Sequence, residues 1–381
     1  MNRQLIFICE NDLIQQIGGT IHVIELLTSL AKLKSNITLI APNYHGEKIS
    51  IAPGINTIFI KTNNVRILKW LIFYLASTVA ILRLFLKYKK IVIYSREMPY
   101  NVFLPLLTRL LRIPLFIELN GVFLKEMRDL NYSNYAYQAS RFVEKFILSK
   151  TDKITCVSDE IRQTVSALLN LPIEKFITIP NGTNPELFYP LDKNKCRNTL
   201  NLPLEAFVIG FIGSCYPYHD IDTLITSVPK LIEHIPELKI AIIGNGIMLS
   251  QWQQLAENLG LASKVIFTGY APFHNANLYI NSFDICFASY KRETSVFPLK
   301  ILDYLACNKA VITTNIPTIT KYFTEKPFFK LIEPENRESL IKNIMDIYST
   351  RNFEIKDHRQ FVLDNYTWEH TAQKILKTIE I

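Results

Sequence analysis

Lys300 and Asp303 stand three residues apart in the stretch 289–314, SYKRETSVFPLKILDYLACNKAVITT. Pro298 precedes them. Apolar residues at Ile301, Leu302, Leu305 and Ala306 recur at helical spacing, and a β-branched run, 311–314, follows an Asn-Lys turn. The pattern predicts a short helix over 300–306, entered from a charged loop (Tyr290, Lys291, Arg292, Glu293) and leaving into a strand. Residues three apart share a helix face, and the first-turn N–H groups lie at the same end. A cation, a carboxylate and a helix N-terminus together suit an anionic, hydroxyl-rich ligand. Phosphates would meet Lys300 and the N–H groups, and sugar hydroxyls would meet Asp303. A surface helix with an i,i+3 ion pair has the same spacing, so the pattern alone leaves both readings open.

Other candidate groups sit where strands end. A strand over 4–9 runs into Gln15-Gln-Ile-Gly18-Gly19-Thr-Ile-His22 and a helix over 23–34. A Gly-Gly turn at a helix start exposes N–H groups to an anion or a sugar. His22 either contacts a ligand there or caps the helix. Arg96 follows a strand over 90–95, and Asn120-Gly121 follow one over 115–119. In open α/β sheets ligands collect at such ends, although Arg96 would equally pair with Glu97. Gly213 and Ser214 follow an apolar strand, 207–213; Gly244 and Gly246 follow another, 239–243; Tyr270 follows a third, 265–269. Asp220-Ile-Asp222 has the Asp-x-Asp form of metal-dependent sugar transferases, but it opens a helix, where Asp is a common cap. No metal and no cofactor are expected.

Strands and helices alternate throughout, which argues for parallel sheets with right-handed crossovers, twice over. The 381 residues are 49% hydrophobic and 20% charged, an ordinary globular balance for two or more domains. A polar, Pro-bearing stretch, 191–204, reads as the linker. Six scattered cysteines without a Cys-x-x-Cys pair point to a reducing compartment and no structural zinc. The first residues, MNRQLIFICENDL, read as a strand, their apolar core being short for a signal peptide. Charge is uneven: residues 61–112 hold ten Lys or Arg against one acid, Glu97, in a chain of net charge +8. The same window holds the apolar run 71–82. Twelve residues are few for a bilayer span, and a buried domain helix with a basic end is the expectation. The alternative is an apolar, basic face resting on anionic lipid. No nucleic-acid motif stands out, and the basic residues are interleaved with aliphatics.

The stretch 289–314 resembles the nucleotide-binding segment of family 4 glycosyltransferases, the retaining GT-B enzymes. Asp303-Tyr-Leu-Ala-Cys-Asn-Lys-Ala-Val311 matches the second half of their acidic motif, and Pro298-Leu-Lys300 matches a Pro-x-Lys variant. The chain departs from the pattern in having Asp303 for the second Glu, Ser295 at the first acidic position with Glu293 two residues earlier, and Asn308 where Gly is usual. Further matches are GGTIHVIELL with His22, Glu118-Leu-Asn120, VSDEIRQTV…EKFITIPNGTNPELFYP, and the loop Tyr216-Pro-Tyr-His219 of a subset, with Ser214 and His219 at the places of the usual Arg and Lys. The likeness is strongest over 153–190, 207–246 and 265–314, and weakest over 43–90.

This resemblance implies two Rossmann-like doubly wound domains facing across a cleft, 1–190 and 191–360, with a C-terminal helix, 361–381, crossing back to the first. The second domain would bind a nucleotide-diphosphate sugar through Gly213, Ser214, His219, Gly244, Gly246, Tyr270, Lys291, Arg292 and the 295–297 backbone (Ser295, Val296, Phe297). Lys300, Asp303 and Glu293 would be the catalytic set. The first would bind a glycan or lipid-linked acceptor through Gly18, Gly19, His22, Arg96, Asn120 and Gly121. The implied enzyme is cytoplasmic or peripheral on the inner face of the plasma membrane. The altered acidic pair and Asn120 keep a non-catalytic nucleotide-sugar binder open, beside a GT-B epimerase or phosphorylase.

Overall fold

The computed structural model describes residues 3–14, 18–46, 51–62, 65, 68–291, 297, 299–323, 329–351, 353, 355 and 357–380. The chain forms two units, Met1–Asn181 with Ser295–Phe297 and Trp368–Ile381, and Gly182–Thr294 with Pro298–Thr367. The first holds strands β1 (Gln4–Ile8), β2 (Ile37–Asn43), β3 (Ile55–Lys61), β4 (Ile91–Arg96), β5 (Leu115–Leu119), β6 (Lys153–Cys156) and β7 (Phe176–Thr178). They pair in parallel in the order β3-β2-β1-β4-β5-β6-β7. The second holds β8 (Phe207–Ile212), β9 (Leu238–Ile243), β10 (Val265–Gly269), β11 (Ile285–Ala288), β12 (Ala310–Thr314) and β13 (Phe329–Ile332), in the order β10-β9-β8-β11-β12-β13.

Both orders place the first strand in the middle, and the crossovers leave it in opposite directions. Helices on both faces bury these strands, which is why β1 and β8 read as continuous apolar runs rather than alternating ones. A crevice opens at the C-terminal edge of each sheet, between β1 and β4 and between β8 and β11, where the connections diverge.

Four expectations change. The stretch 191–204 is no free linker: it contains the helix Lys193–Thr199, whose Arg197 is buried. The Arg197 guanidinium donates to Asp284 Oδ2 (2.6 Å) and to the carbonyls of Ser282, Leu204 and Ala206, while Lys193 reaches Asp284 Oδ1 (2.6 Å). Asp284 opens β11 and also accepts from the Val208 N–H. Second, the units divide at 181/182 and 367/368, where the sequence reading placed 190/191 and 360/361. The Thr183 N–H donates to the Tyr366 carbonyl, and Arg359 donates to the carbonyls of Pro185, Phe188 and Ala306, so 182–190 and the helix Asp357–Asn365 are bound into the second unit.

Third, the first helix begins at Gly18 rather than at 23. Gly18, Gly19 and His22 therefore lie within its opening turns, and residues 15–17 lie outside the described residues. Fourth, the apolar run 71–82 is the middle of a 21-residue helix, Leu68–Tyr88, buried along one face only, through Phe73, Tyr74, Ser77, Ile81 and Leu84. The cause is position: the helix packs on β3, on β4 and on the helix Phe103–Leu111, and residues on its other face stay exposed.

Asn308 takes the left-handed turn expected of it, with φ 57°. All six cysteines are buried and free. Asp284→Ala should destabilise the second unit by about 3 kcal/mol or more, because it strands the buried Arg197 charge. Chemical denaturation followed by a probe in the second unit checks this, and a change below about 1 kcal/mol would contradict the pairing.

Candidate functional site

In the second unit, β8 ends at Ile212 and the chain turns through Gly213 with φ 149°, a conformation L side chains rarely adopt. A Cβ on Gly213 would lie 2.7 Å from Lys300 Nζ. The Gly213 carbonyl also packs against Gly244 (φ 141°), where a Cβ would lie 1.9 Å from it. These glycines let two strand-end loops and a lysine head share one small space. Their N–H groups are already used: Gly213 donates to Ile243, Gly244 to Gly269, and Gly246 to the Asn245 side chain. Gly244 and Gly246 thus serve backbone packing, a correction to the expectation that the Gly244–Gly246 turn offers its backbone to a ligand.

Lys300 rises from the first turn of the helix Leu299–Ala306 to this spot. Its Nζ lies 2.9 Å from His219 Nε2, 4.1 Å from the centre of the Phe211 ring and 5.9 Å from that of Tyr290. The helix is held there by Tyr304, whose buried Oη accepts the Ile212 N–H (3.1 Å), and by Arg359, which donates to the Ala306 carbonyl at its end. His219 sits in the loop after β8 and Tyr290 in the loop after β11; an antiparallel bridge joins them across the β8/β11 crevice. Thr314 at the end of β12 accepts the Tyr290 N–H.

Burial pulls the Lys300 ammonium down to about 7, against the opposing charge of Asp303. Among the described residues no carboxylate comes within ion-pair distance of it. Burial, with Lys300 beside it, holds the His219 imidazole well below its usual value. His219 is therefore neutral and can accept from a charged Lys300. A desolvated cation without a counter-ion, at the C-terminal edge of a parallel sheet, is poised for an anionic ligand.

Asp303 faces differently from a simple ion pair with Lys300. Its Oδ1 accepts from Thr183 Oγ1 at 2.5 Å, so one carboxylate oxygen ties this helix to the stretch after Gly182. Lys291 Nζ lies 3.5 Å from Asp222 Oδ2, in a half-exposed ion pair rather than at Gly213. Asp220 is buried, accepting from Thr223 Oγ1 (2.7 Å) and the Glu335 N–H (2.8 Å). That occupies the carboxylate the Asp-x-Asp string would have offered a metal. Ser214 is partly exposed, Tyr270 is exposed at the end of β10, and Phe297 is buried. Arg292, Glu293, Ser295 and Val296 lie outside the described residues.

In the first unit the equivalent crevice, between β1 and β4, holds a second cluster. Arg96, ending β4, donates through Nη1 to the Gly19 carbonyl at 2.6 Å, fixing the start of the first helix. This, rather than a pair with Glu97, is its role. His22 is buried, with Nε2 2.8 Å from Glu118 Oε1 and its ring edge-on to Trp368 at 4.9 Å. Glu118 also accepts from Tyr94 Oη (2.8 Å) and from the Asn120 amide (2.6 Å). Burial would raise the Glu118 carboxyl, but His22, Arg96 and Asn120 bring it down to about 2, so it is ionised.

The sequence reading named Glu118 only as part of its motif; the structure makes it the centre of the cluster. Gly121 abuts Glu126, where a Cβ would lie 2.6 Å from its Oε1, and Gly18 is exposed at the helix start. Trp368 and Thr371 of the helix Trp368–Ile379 dock on His22 and on the Pro180 carbonyl. Tyr304, Thr183 and Arg359 were missed because each acts over 90 or more residues of sequence separation.

Two family models match the chain: Glycosyltransferase Family 4 over residues 17–187, and Glycosyl transferases group 1 over residues 192–368. TuaH of Bacillus subtilis (strain 168), a glycosyltransferase named for teichuronic acid biosynthesis, is 28% identical over 254 residues, 64% of this chain and 61% of that one. The chain spans 55–61% of the length of the first curated relatives it matches. Sucrose-phosphate synthase from Thermosynechococcus elongatus superposes with a TM-score of 0.78 at 18% identity, covering 99% of this chain and 98% of that one. HepE of Anabaena, solved in complex with UDP, superposes at 0.76 and 15% identity over 99% of each chain. At such identities the likeness is one of fold, and it is the GT-B fold. With both halves matched in turn and the architecture shared end to end, the chain belongs to the family 4 glycosyltransferases of group 1 type.

Proposed function

We propose that this protein transfers a sugar from a nucleotide-diphosphate donor to an acceptor hydroxyl, with retained anomeric configuration, in the synthesis of a cell-surface polysaccharide or glycolipid. The observation that carries the reading is the Lys300 ammonium beside Gly213 and His219, a cation without a carboxylate partner among the described residues. The second unit takes the donor. As the sugar–oxygen bond breaks, the sugar gains oxocarbenium character and negative charge grows on the departing diphosphate. Lys300 stabilises that charge where it develops, in a site already arranged for it. Asp303 holds donor hydroxyls with the carboxylate that also carries Thr183. Family membership and the UDP seen in a structural neighbour support the reading.

The first unit takes the acceptor. Ionised Glu118 can accept a hydrogen bond from an acceptor hydroxyl, and His22, Tyr94 and Asn120 keep it oriented. The protein needs no metal in this scheme, because Lys300 supplies the positive charge a divalent ion would otherwise bring. The enzyme works on the cytoplasmic side, where nucleotide sugars are made.

A thermal-shift screen against UDP-, GDP-, ADP- and dTDP-sugars tests the donor class. A true donor at 100 times its dissociation constant adds about 2.7 kcal/mol of stability. A hydrolysed or isomerised donor without acceptor would turn the assignment toward an epimerase, and phosphate dependence toward a phosphorylase. Lys300→Ala should raise the donor KM or lower kcat about 10-fold or more, since a charged hydrogen bond contributes about 1.5–3 kcal/mol; unchanged kinetics would remove Lys300 from the site.

The pH dependence carries a sign. Burial lowers the Lys300 value to about 7, so above that pH the free protein must take up a proton to present a cation. Nucleoside diphosphate affinity should fall by up to about tenfold per pH unit as pH rises beyond 7, until the value in the complex is reached. Calorimetric titration of wild type and Lys300→Met checks it: the variant should bind more weakly and lose most of the slope.

A further inference from the structure

The helix Leu68–Tyr88 carries an exposed apolar stripe. Leu68, Leu71, Leu75, Val79, Leu82 and Leu86 recur every three or four residues, and all are exposed, Leu86 at 69%. They form one face of the helix, opposite the buried positions. The neighbouring helix Phe103–Leu111 packs on this one and adds Leu106 and Leu110, exposed at 52% and 79%. An apolar surface of this extent, in a chain whose core is elsewhere well covered, marks an interaction site.

Charge says what covers it. Neither helix contains an Asp or a Glu. Arg83, Lys87, Lys89 and Lys90 are exposed at or just beyond the end of the longer helix, and Arg109 and Arg112 at the end of the shorter. The one acid between residues 61 and 112, Glu97, is partly buried, and desolvation with the neighbouring carboxylates raises its carboxyl well above the usual range. The surface is thus aliphatic with a purely cationic rim. A nucleic acid would match the rim but not the stripe. An anionic bilayer matches both, with acyl chains for the stripe and headgroup phosphates for the rim.

By length and composition Leu68–Tyr88 is long and apolar enough to cross a membrane. Its other face forbids that. Phe73, Tyr74, Ile81 and Leu84 are buried, and Tyr74 Oη lies 2.8 Å from both Glu10 Oε2 and the Pro99 carbonyl, at the ends of β1 and β4. Pulling the helix out would uncover the sheet. We infer that the helix lies in the plane of an anionic phospholipid surface, stripe inward, and that Phe103–Leu111 seats beside it. This holds the first unit at the bilayer, whatever the donor bound by the second.

Co-sedimentation of the full chain with sucrose-loaded vesicles tests this. The vesicles are phosphatidylcholine alone, or phosphatidylcholine with phosphatidylglycerol. Wild type should partition to the anionic vesicles at low salt and be released by high salt. Leu75→Ser with Leu82→Ser should cut partition about tenfold or more. Arg83→Gln with Lys87→Gln and Lys90→Gln should cut it roughly 100-fold, at about fivefold per charge. All five positions are exposed; circular dichroism and nucleotide binding by the second unit confirm that the variants fold. Three results would each overturn the inference: no partition to anionic vesicles at low salt, partition indifferent to the Leu75/Leu82 change, or a dimer lost in that variant without vesicle binding, which would assign the face to a second copy.

Discussion

A lysine head held between an imidazole and aromatic faces, with a glycine cut away to admit it, is the feature around which the second unit is arranged. Water is the cheapest partner for an ammonium, and this one has been partly stripped of it. Its affinity for a proton falls accordingly, to about 7. Only an anion arriving from outside restores the charge at no cost to the protein. The neutral His219 beside it lets the proton stay without adding a second charge. Phe211 of β8 and Tyr290 after β11 set their rings near the lysine, and Tyr304 ties its helix to the end of β8.

The place of this lysine is dictated by topology. Where crossovers leave neighbouring strands in opposite directions, no loop covers the sheet edge. Each unit repeats that geometry and fills it with opposite chemistry. At β8/β11 the central group is a cation seeking a partner. At β1/β4 it is a carboxylate whose partners are all in place: Tyr94, Asn120 and His22 around Glu118, with Arg96 nearby. In the transfer proposed above, the first would take the diphosphate and the second the acceptor hydroxyl.

Long-range ties keep these sites rigid. Arg197 and Asp284 lock the helix Lys193–Thr199 to the start of β11, and Arg359 gathers three carbonyls from two segments. Buried ion pairs and multidentate arginines contribute modestly to stability but penalise alternatives, since any shift strands a charge. Thr183 does the same for Asp303 with one hydroxyl. The helix Leu68–Tyr88 shows the opposite economy: it is bound by one face, and the other is exposed.

The sequence by itself determined the repeated strand–helix alternation, the two parallel sheets, the helix bearing Lys300 and Asp303, the left-handed Asn308, and family membership. These are local patterns: apolar runs, periodicity and turn residues act within a few positions. It also determined that 61–112 is basic and apolar, but not which face of its helix is covered. That depends on strands β3 and β4, and β3 itself, an edge strand with little burial, left no pattern to read. Only the tertiary structure decided that Gly244 and Gly246 spend their N–H groups within the protein, that Arg96 serves Gly19, that 191–204 packs around a buried arginine, and that Glu118 is ionised. Each of those depends on which distant atoms fill the same few ångströms, and residue spacing along the chain holds no record of that.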